Sequence, residues 1–353
     1  MPTAVTFKLI LTLLCMSGLN GCSHIAYYSQ AAAGQWDIFR RSQPIAKVVA
    51  NPTTSSKLKQ QLSDIVQIRA FASQELHLPD NRSYTYYADL ERPYAVWSVV
   101  AAPAFSLIPK QWCFLFLGCI SYRGYFSQES AQVLAAELRA QDYDVYVAGV
   151  VAYSTLGWFT DPVLNTVLAW PQPHIAAVIF HELAHQQLYI PNDTTFNESF
   201  AVAVEQVGVE RWLAQQGTSE ETIAYQESRR RETEFIGLVL ATRNQLQAIY
   251  QRELPRAELQ IAKEAAFDDL RNQYVQLRSR WGNYTGYDKW FREDLNNAKL
   301  ASVVTYQALV PAFRALLTQK NGDLLAFYEE VAKLGKLPKE QRYLELEKLK
   351  EKL

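Results

Sequence analysis

The sequence predicts an α+β fold, mostly α, in which a small sheet stands upstream of one buried helix and a C-terminal helical bundle follows. Three observations predict it. β-branched and aromatic residues concentrate between Ser83 and Ser106 and again from Val145 to Tyr153. The run His174 to Ile190 is apolar on every face, the pattern of a central helix rather than a surface one. Beyond Gly217 the chain is helix-forming nearly to its end, with charged faces and apolar stripes.

At the N-terminus, residues 1–21 carry one positive charge, Lys8, then the apolar run Leu9 to Met16 and a small-residue segment, the shape of an export signal. Leu19-Asn20-Gly21-Cys22 resembles the bacterial lipobox, whose Cys is acylated and becomes the new N-terminus. That resemblance implies a lipoprotein held on a membrane surface through Cys22, and Ser23 after it implies the outer membrane, facing the periplasm. The other reading is an ordinary cleaved signal with Cys22 free. Four Cys occur; with Cys15 removed and Cys22 acylated, Cys113 and Cys119 remain as a pair, and an oxidising compartment makes a disulfide their default.

Next come two or three helices between Ile25 and about Leu78, where Tyr28, Ala32, Trp36, Phe39 and then Leu58, Leu62, Ile65, Ile68 recur at helical spacing, broken by Pro44 and Asn51-Pro52. Two strands follow within 83–106, a helix over Ser130 to Gln141, and one or two strands ending near Tyr153. After the buried helix, which Pro191 closes, a second runs from about Thr195 to Gln216 and stops at Gly217, where a left-handed cap is expected. The chain therefore divides into a signal peptide (1–21), a core of helices and small sheet (22–217), and a C-terminal helical region packed on it (218–353).

Composition excludes several functions. Thirty-five Lys+Arg against 36 Asp+Glu give a formal net charge of -1, so no basic field exists to hold nucleic acid. Residues 7–19 and 94–108 are the apolar stretches that come nearest to a membrane span, and both are too short for one.

Chemistry concentrates in His181-Glu182-Leu183-Ala184-His185, within the buried helix. Two His four residues apart lie on one face, so both imidazoles can reach a single divalent cation, and the intervening Glu can take a proton from a water there. A catalytic zinc takes three protein ligands, and Asp193, Glu198, Glu205 and Glu210 are the carboxylates downstream. Glu198 opens the next helix, thirteen residues after His185, which leaves room to turn and return. Its competing reading is a capping box with Thr195. Glu205 lies two turns further on the same face, where it fits a partner for a His N–H or a plain salt bridge.

His-Glu-x-x-His followed by Asn-Glu-x-x-Ala resembles the gluzincin metallopeptidases. More closely, Trp112-Cys113, Gly118-Cys119, Tyr122-Arg123-Gly124-Tyr125-Phe126, Ala152 to Phe159, Asp161-Pro162, His181 to His185 and Phe196-Asn197-Glu198-Ser199-Phe200-Ala201 resemble the bacterial family of predicted zinc aminopeptidases. The resemblance implies a gluzincin-like core, one Zn2+ on His181, His185 and Glu198, Glu182 as general base, and a peptide substrate. It also implies an edge strand laid beside the zinc helix to bind that peptide, for which Ser154, Thr155, Leu156 and Gly157 are in place. A hydroxyl donor to the reacting carbonyl is expected from Tyr153, with Tyr122 and Tyr306 as further candidates. No Gly-x-Met-Glu-Asn motif is present to hold a substrate ammonium, so exo and endo cleavage both fit. The contrasting expectation is a non-catalytic zinc-containing envelope lipoprotein that acts as an assembly or chaperone-like factor.

Overall fold

A computed structural model describes residues 25–114 and 118–350. The signal segment 1–21 and the lipobox Cys22 lie outside the described residues. The fold is α+β and mostly helical.

Helices α1 (25–41), α2 (Ile45–Ala50) and α3 (Ser56–Gln74) open the chain. Ser55 caps α3 by accepting the Leu58 N–H, and the helix buries Leu62, Ile65, Ile68 and Phe71. The strands form three small sheets rather than one. β1 (Gln43–Pro44), β2 (Tyr86–Ala88) and β8 (Val163–Leu164) make the first. β6 (Arg123–Tyr125), β3 (Val96–Pro103) and β7 (Tyr143–Val150) make an antiparallel second, with Trp97 opposite both Tyr125 and Gly149. Its one face is covered by α4 (Gln128–Ala140) through Ala131, Ala135 and Leu138. β4 (Trp112–Phe114) and β5 (Gly118–Ile120) form a hairpin in which Cys113 faces Cys119 and the two sulfurs are bonded.

The buried helix is α5 (Gln172–Gln187), and α6 (Thr194–Gln216) runs back along it. Their close approach is set at Gly208, where a Cβ would stand 2.6 Å from the Phe180 ring. Two sequence expectations are corrected here. The N-cap of α6 is Asp193, whose Oδ1 accepts the Phe196 N–H, so Glu198 stands a turn inside the helix and makes no capping box with Thr195. Gly217 is extended, at φ -78, not left-handed; a Cβ there would meet the Leu213 carbonyl at 2.8 Å, so crowding rather than handedness selects glycine.

Downstream, α7 (Ser219–Tyr250), α8 (Arg256–Arg280) and the short α9 (Asp288–Arg292) build a core of their own around Phe235, Leu246, Leu270, Tyr274 and Trp281. Then α10 (Asn297–Gln307), α11 (Val310–Gln319), α12 (Leu324–Lys336) and α13 (Lys339–Lys350) follow. The last three pack into the main core beside α5 and α6, with Phe313 against Phe196 and Phe200. By length and composition Asn297–Gln319 is apolar enough to cross a membrane, which corrects the expectation that 7–19 and 94–108 come nearest to a span. It is here two helices, with Pro311 in the first turn of the second, and α10 and α11 both pack on α6.

Candidate metal centre

The apolar sequence of α5 buries Ile175, Ile179, Phe180, Leu183 and Ala184, and this carries Glu182 and His185 into the interior. His181 and His185 share one face, their ring centroids 4.9 Å apart and nearly perpendicular. The turn to α6 is held from three sides. Asn197 accepts the Ile190 N–H and donates to the Ile190 carbonyl, both at 2.8 Å. Asp193 accepts from the Arg342 guanidinium and, at 2.9 Å, from the Tyr343 hydroxyl, both on α13. Outside, the disulfide hairpin presses on Asn192: the Cys119 N–H donates to its Oδ1 at 2.8 Å, and Gly118 (φ +73) has no room for a Cβ against it. Asn192 is itself left-handed, a conformation Asn tolerates better than most residues.

This turn brings Glu198 to the two imidazoles. Its Oε2 lies 3.3 Å from Nε2 of both His181 and His185, and one ligand atom from each of the three residues falls within 4.8 Å of the others. His181, His185 and Glu198 thus form a group that could hold a metal ion. Glu205, two turns deeper on α6, places Oε2 3.0 Å from Nδ1 of His181. A carboxylate can only accept, so Nδ1 carries a proton and Nε2 is turned to the centre. Burial raises the Glu198 pKa, but the two imidazoles outweigh it and hold the carboxyl at about 2. Burial opposes a charge on His181 likewise, and the hydrogen bonds to Glu198 and Glu205 overcome it, leaving this imidazole well above its usual value. Tyr306 stacks on the His181 ring at 6.2 Å.

The adjacent face of α5 carries Glu182 and, four residues on, Gln186. Burial pushes Glu182 up to about 7, with the two imidazoles opposing. Gln186 is the hub of a polar network. Its Nε2 donates to Ser83 Oγ and Asp161 Oδ2, and its Oε1 accepts from Asn81 at 2.8 Å. Asp161 is buried, which raises its pKa to about 6 against the hydrogen bonds it accepts from Thr155. Buried Arg69 of α3 fixes the loop before Ser83 by donating to the carbonyls of Pro79, Asn81 and Ser83. Beside this network opens a pocket of about 570 Å³ whose walls include Asn81, Arg82, Gly157, Trp158 and Phe159.

Sequence reasoning missed Gln186 and Tyr84, and gave Asp161 no role although the Asp161-Pro162 pair is part of the family resemblance. The spacing of Gln186 from Glu182 was a signal. Tyr84 had none: it is buried at φ +64, its hydroxyl has no hydrogen-bond partner among the described residues, and Glu182 and Asp161 are among the charges that act on it.

The segment Tyr153 to Gly157 is a loop, where a strand was expected; β7 ends at Val150. Leu156 and Gly157 both take positive φ, which no strand accommodates. The Thr155 N–H donates to Asp161 and the Leu156 N–H to Ser154 Oγ, so two amides that an edge strand would offer to a peptide are engaged internally. The Tyr153 hydroxyl donates to Gln35 of α1, and its ring packs edge-on against Phe126. At Tyr122 burial raises the hydroxyl pKa well above normal, and the Glu198 and Glu182 charges add to the shift. Of the carboxylates weighed against Glu198, Asp193 caps α6 and Glu210 pairs with Arg314, neither at the triad.

No curated protein and no solved structure matches the chain. A family model does: residues 26–346 match the family described as putative aminopeptidase. A match over nearly all of the described helices and sheets is a statement about the whole fold and not about the His-Glu-x-x-His helix alone, and on it the chain belongs to the putative aminopeptidase family.

Proposed function

We propose that this chain is a zinc-dependent peptidase of the bacterial envelope, anchored through Cys22 and exposed to the periplasm. The observation that carries the reading is the convergence of two imidazole nitrogens and one carboxylate oxygen on a single point. Two imidazole nitrogens and one carboxylate oxygen, with no fourth side-chain ligand in the group among the described residues, are the donor set of a catalytic zinc rather than a structural one, which would be closed by a fourth side chain. Bound there, zinc would supply Lewis acidity to the scissile carbonyl and to the attacking water.

The chain's own groups account for the rest. Glu205 holds the proton on His181 Nδ1 and keeps Nε2 for the metal. Glu182, on the adjacent face of α5, takes the proton of the attacking water and returns it to the leaving amine, so no net proton is retained over the cycle. Tyr306, whose ring stacks on His181, and Tyr122, on which the Glu198 and Glu182 charges act, are the hydroxyl groups we assign as donors to the carbonyl oxygen as charge develops on it. The peptide is walled by the pocket beside Gln186, with Gly157, Trp158 and Phe159 in its lining.

The test is chelator-sensitive cleavage. A chain beginning at Ser23 should hydrolyse aminoacyl or internally quenched peptides, lose activity to a chelator and regain it with zinc. Glu182→Gln should retain the metal and lose about 100-fold or more in turnover, the contribution of a positioned general base. A metal-loaded protein that cleaves neither substrate type, or a fully active Glu182→Gln, would contradict the reading. Relative rates on blocked and free N-termini decide between exo and endo cleavage.

A further inference from the structure

Helix α1 has two apolar faces, and the described residues cover only one of them. On the inner face Ile38 joins Ala88, Leu90 and Leu164, Gly34 seats against the Phe126 ring, and Tyr27 packs on Tyr125. On the opposite face Ile25, Tyr28, Ala32, Trp36 and Phe39 follow one another at spacings of three and four, which places them on a single stripe. Ile25 is 68% exposed, Tyr28 50% and Trp36 69%. At its C-terminal end the stripe meets the rim of the pocket beside Gln186, where Phe39 packs edge-on against Phe159 at 5.2 Å.

The charges around the stripe are paired with one another, Arg40 and Arg41 with Asp37, and Arg41 also with Glu91. An apolar, aromatic-rich stripe turned away from the core of a helix, with arginines at its rim, has the composition of a helix that lies in a bilayer interface. What covers it follows from the chain before it. Ile25 stands three residues after Cys22, the lipobox cysteine. Three residues reach at most about 10 Å, so acyl chains on Cys22 bring the start of α1 to the bilayer surface.

We infer that the outer face of α1 docks on the phospholipid surface as a second attachment beside the acyl anchor. This rests on the lipoprotein reading of Cys22 for its choice of occupant, and the test separates the two. Because the flanking charges are internally paired, attachment comes from ring and alkyl burial and not from attraction to anionic headgroups.

The chain beginning at Ser23, which has no acyl group, is floated with phosphatidylcholine vesicles and with phosphatidylethanolamine/phosphatidylglycerol vesicles. It should partition onto both, and about 0.5 M salt, which screens charge beyond a few ångströms, should not release it. The triple variant Ile25→Ser, Tyr28→Ser, Trp36→Ser should bind at least about tenfold less, since three buried side chains are lost from the interface. Its melting temperature and metal content should stay at wild-type values, because these side chains sit outside the core. Failure of the wild-type chain to partition, equal partition of the triple variant, or a wild-type dimer that the variant dissolves would each overturn the inference, the last by assigning the face to a second copy. Mass spectrometry of full-length protein extracted from membranes reads acylation of Cys22 separately; bound vesicles with an unacylated Cys22 would remove the anchor and keep the docking face.

Discussion

Two long helix pairs of this molecule solve the same packing problem with opposite chemistry. In α7 and α8 the buried side chains are mostly apolar or aromatic, among them Phe235, Val239, Leu246, Phe267 and Leu270, and apart from Lys263, buried against Asp144, the charges stand outside in ladders such as Arg230 with Glu227 and Glu234. In α5 and α6 the contact is just as close, yet Glu182, His185, Asn197, Glu198 and Gln206 are buried in it. Burial of such groups is costly unless each finds a partner: Glu198 and Glu205 of α6 meet the imidazoles and Ile190 of the α5–α6 turn meets Asn197, while α13 and the disulfide hairpin hold Asp193 and Asn192 in that turn. The first pair is built for stability, and the second accepts a stability cost to hold a reactive group in place.

If that contrast is right, perturbing each pair should move a different observable. Leu246→Ala, fully buried between α7 and α8, should cost about 3 kcal/mol in denaturant unfolding while the folded fraction binds metal as before. A parallel loss of metal affinity in the folded protein would mean that the two cores are not separable. Glu205→Ala removes the acceptor of His181 Nδ1 and leaves all three ligands, so metal affinity should fall by about 10- to 100-fold with little change in unfolding. Competition with a chromophoric chelator measures it, and unchanged affinity would reduce Glu205 to a plain salt bridge.

Asp161 offers a pH test beside the centre. Its folded pKa, about 6, lies above the unfolded value, so protonation favours the folded state. Its contribution is fully present below the unfolded carboxylate pKa near 4 and is lost as pH rises through about 6. Asp161→Asn should therefore flatten the stability profile between pH 4 and 7 by on the order of 1 kcal/mol. A profile as steep as wild type would assign the slope to another group. The smallest effect is expected on the outside of α7, where Arg230→Ala should leave the denaturation midpoint unchanged within error, because an exposed ion pair is held in water.

Much of this contrast is legible in the sequence, because it rests on local spacing. The i, i+4 histidines, the thirteen-residue return to Glu198 and the helical offset of Glu205 are consequences of 3.6 residues per turn. What escapes is decided by contacts far along the chain. Asp193 and Thr195 are both fair helix caps, and Arg342 and Tyr343, about 150 residues away, accompany the choice of Asp193. The segment after Val150 has the composition of a strand, yet Asp161 gathers the Thr155 amide and hydroxyl and bends it into a loop. The Asn81 and Ser83 hydrogen bonds to Gln186 likewise join residues more than 100 positions apart, which no periodicity reports.

The central claim is that the α5–α6 pair is built around one divalent cation. Native mass spectrometry of the chain beginning at Ser23 measures this directly, with wild type, Glu182→Gln and Glu198→Ala loaded in parallel with zinc. One zinc per chain is expected in the wild type and in Glu182→Gln, with the ion lost from Glu198→Ala at the same free zinc concentration. A Glu198→Ala protein that holds zinc as tightly as wild type, or a wild-type chain that holds none, would contradict the account.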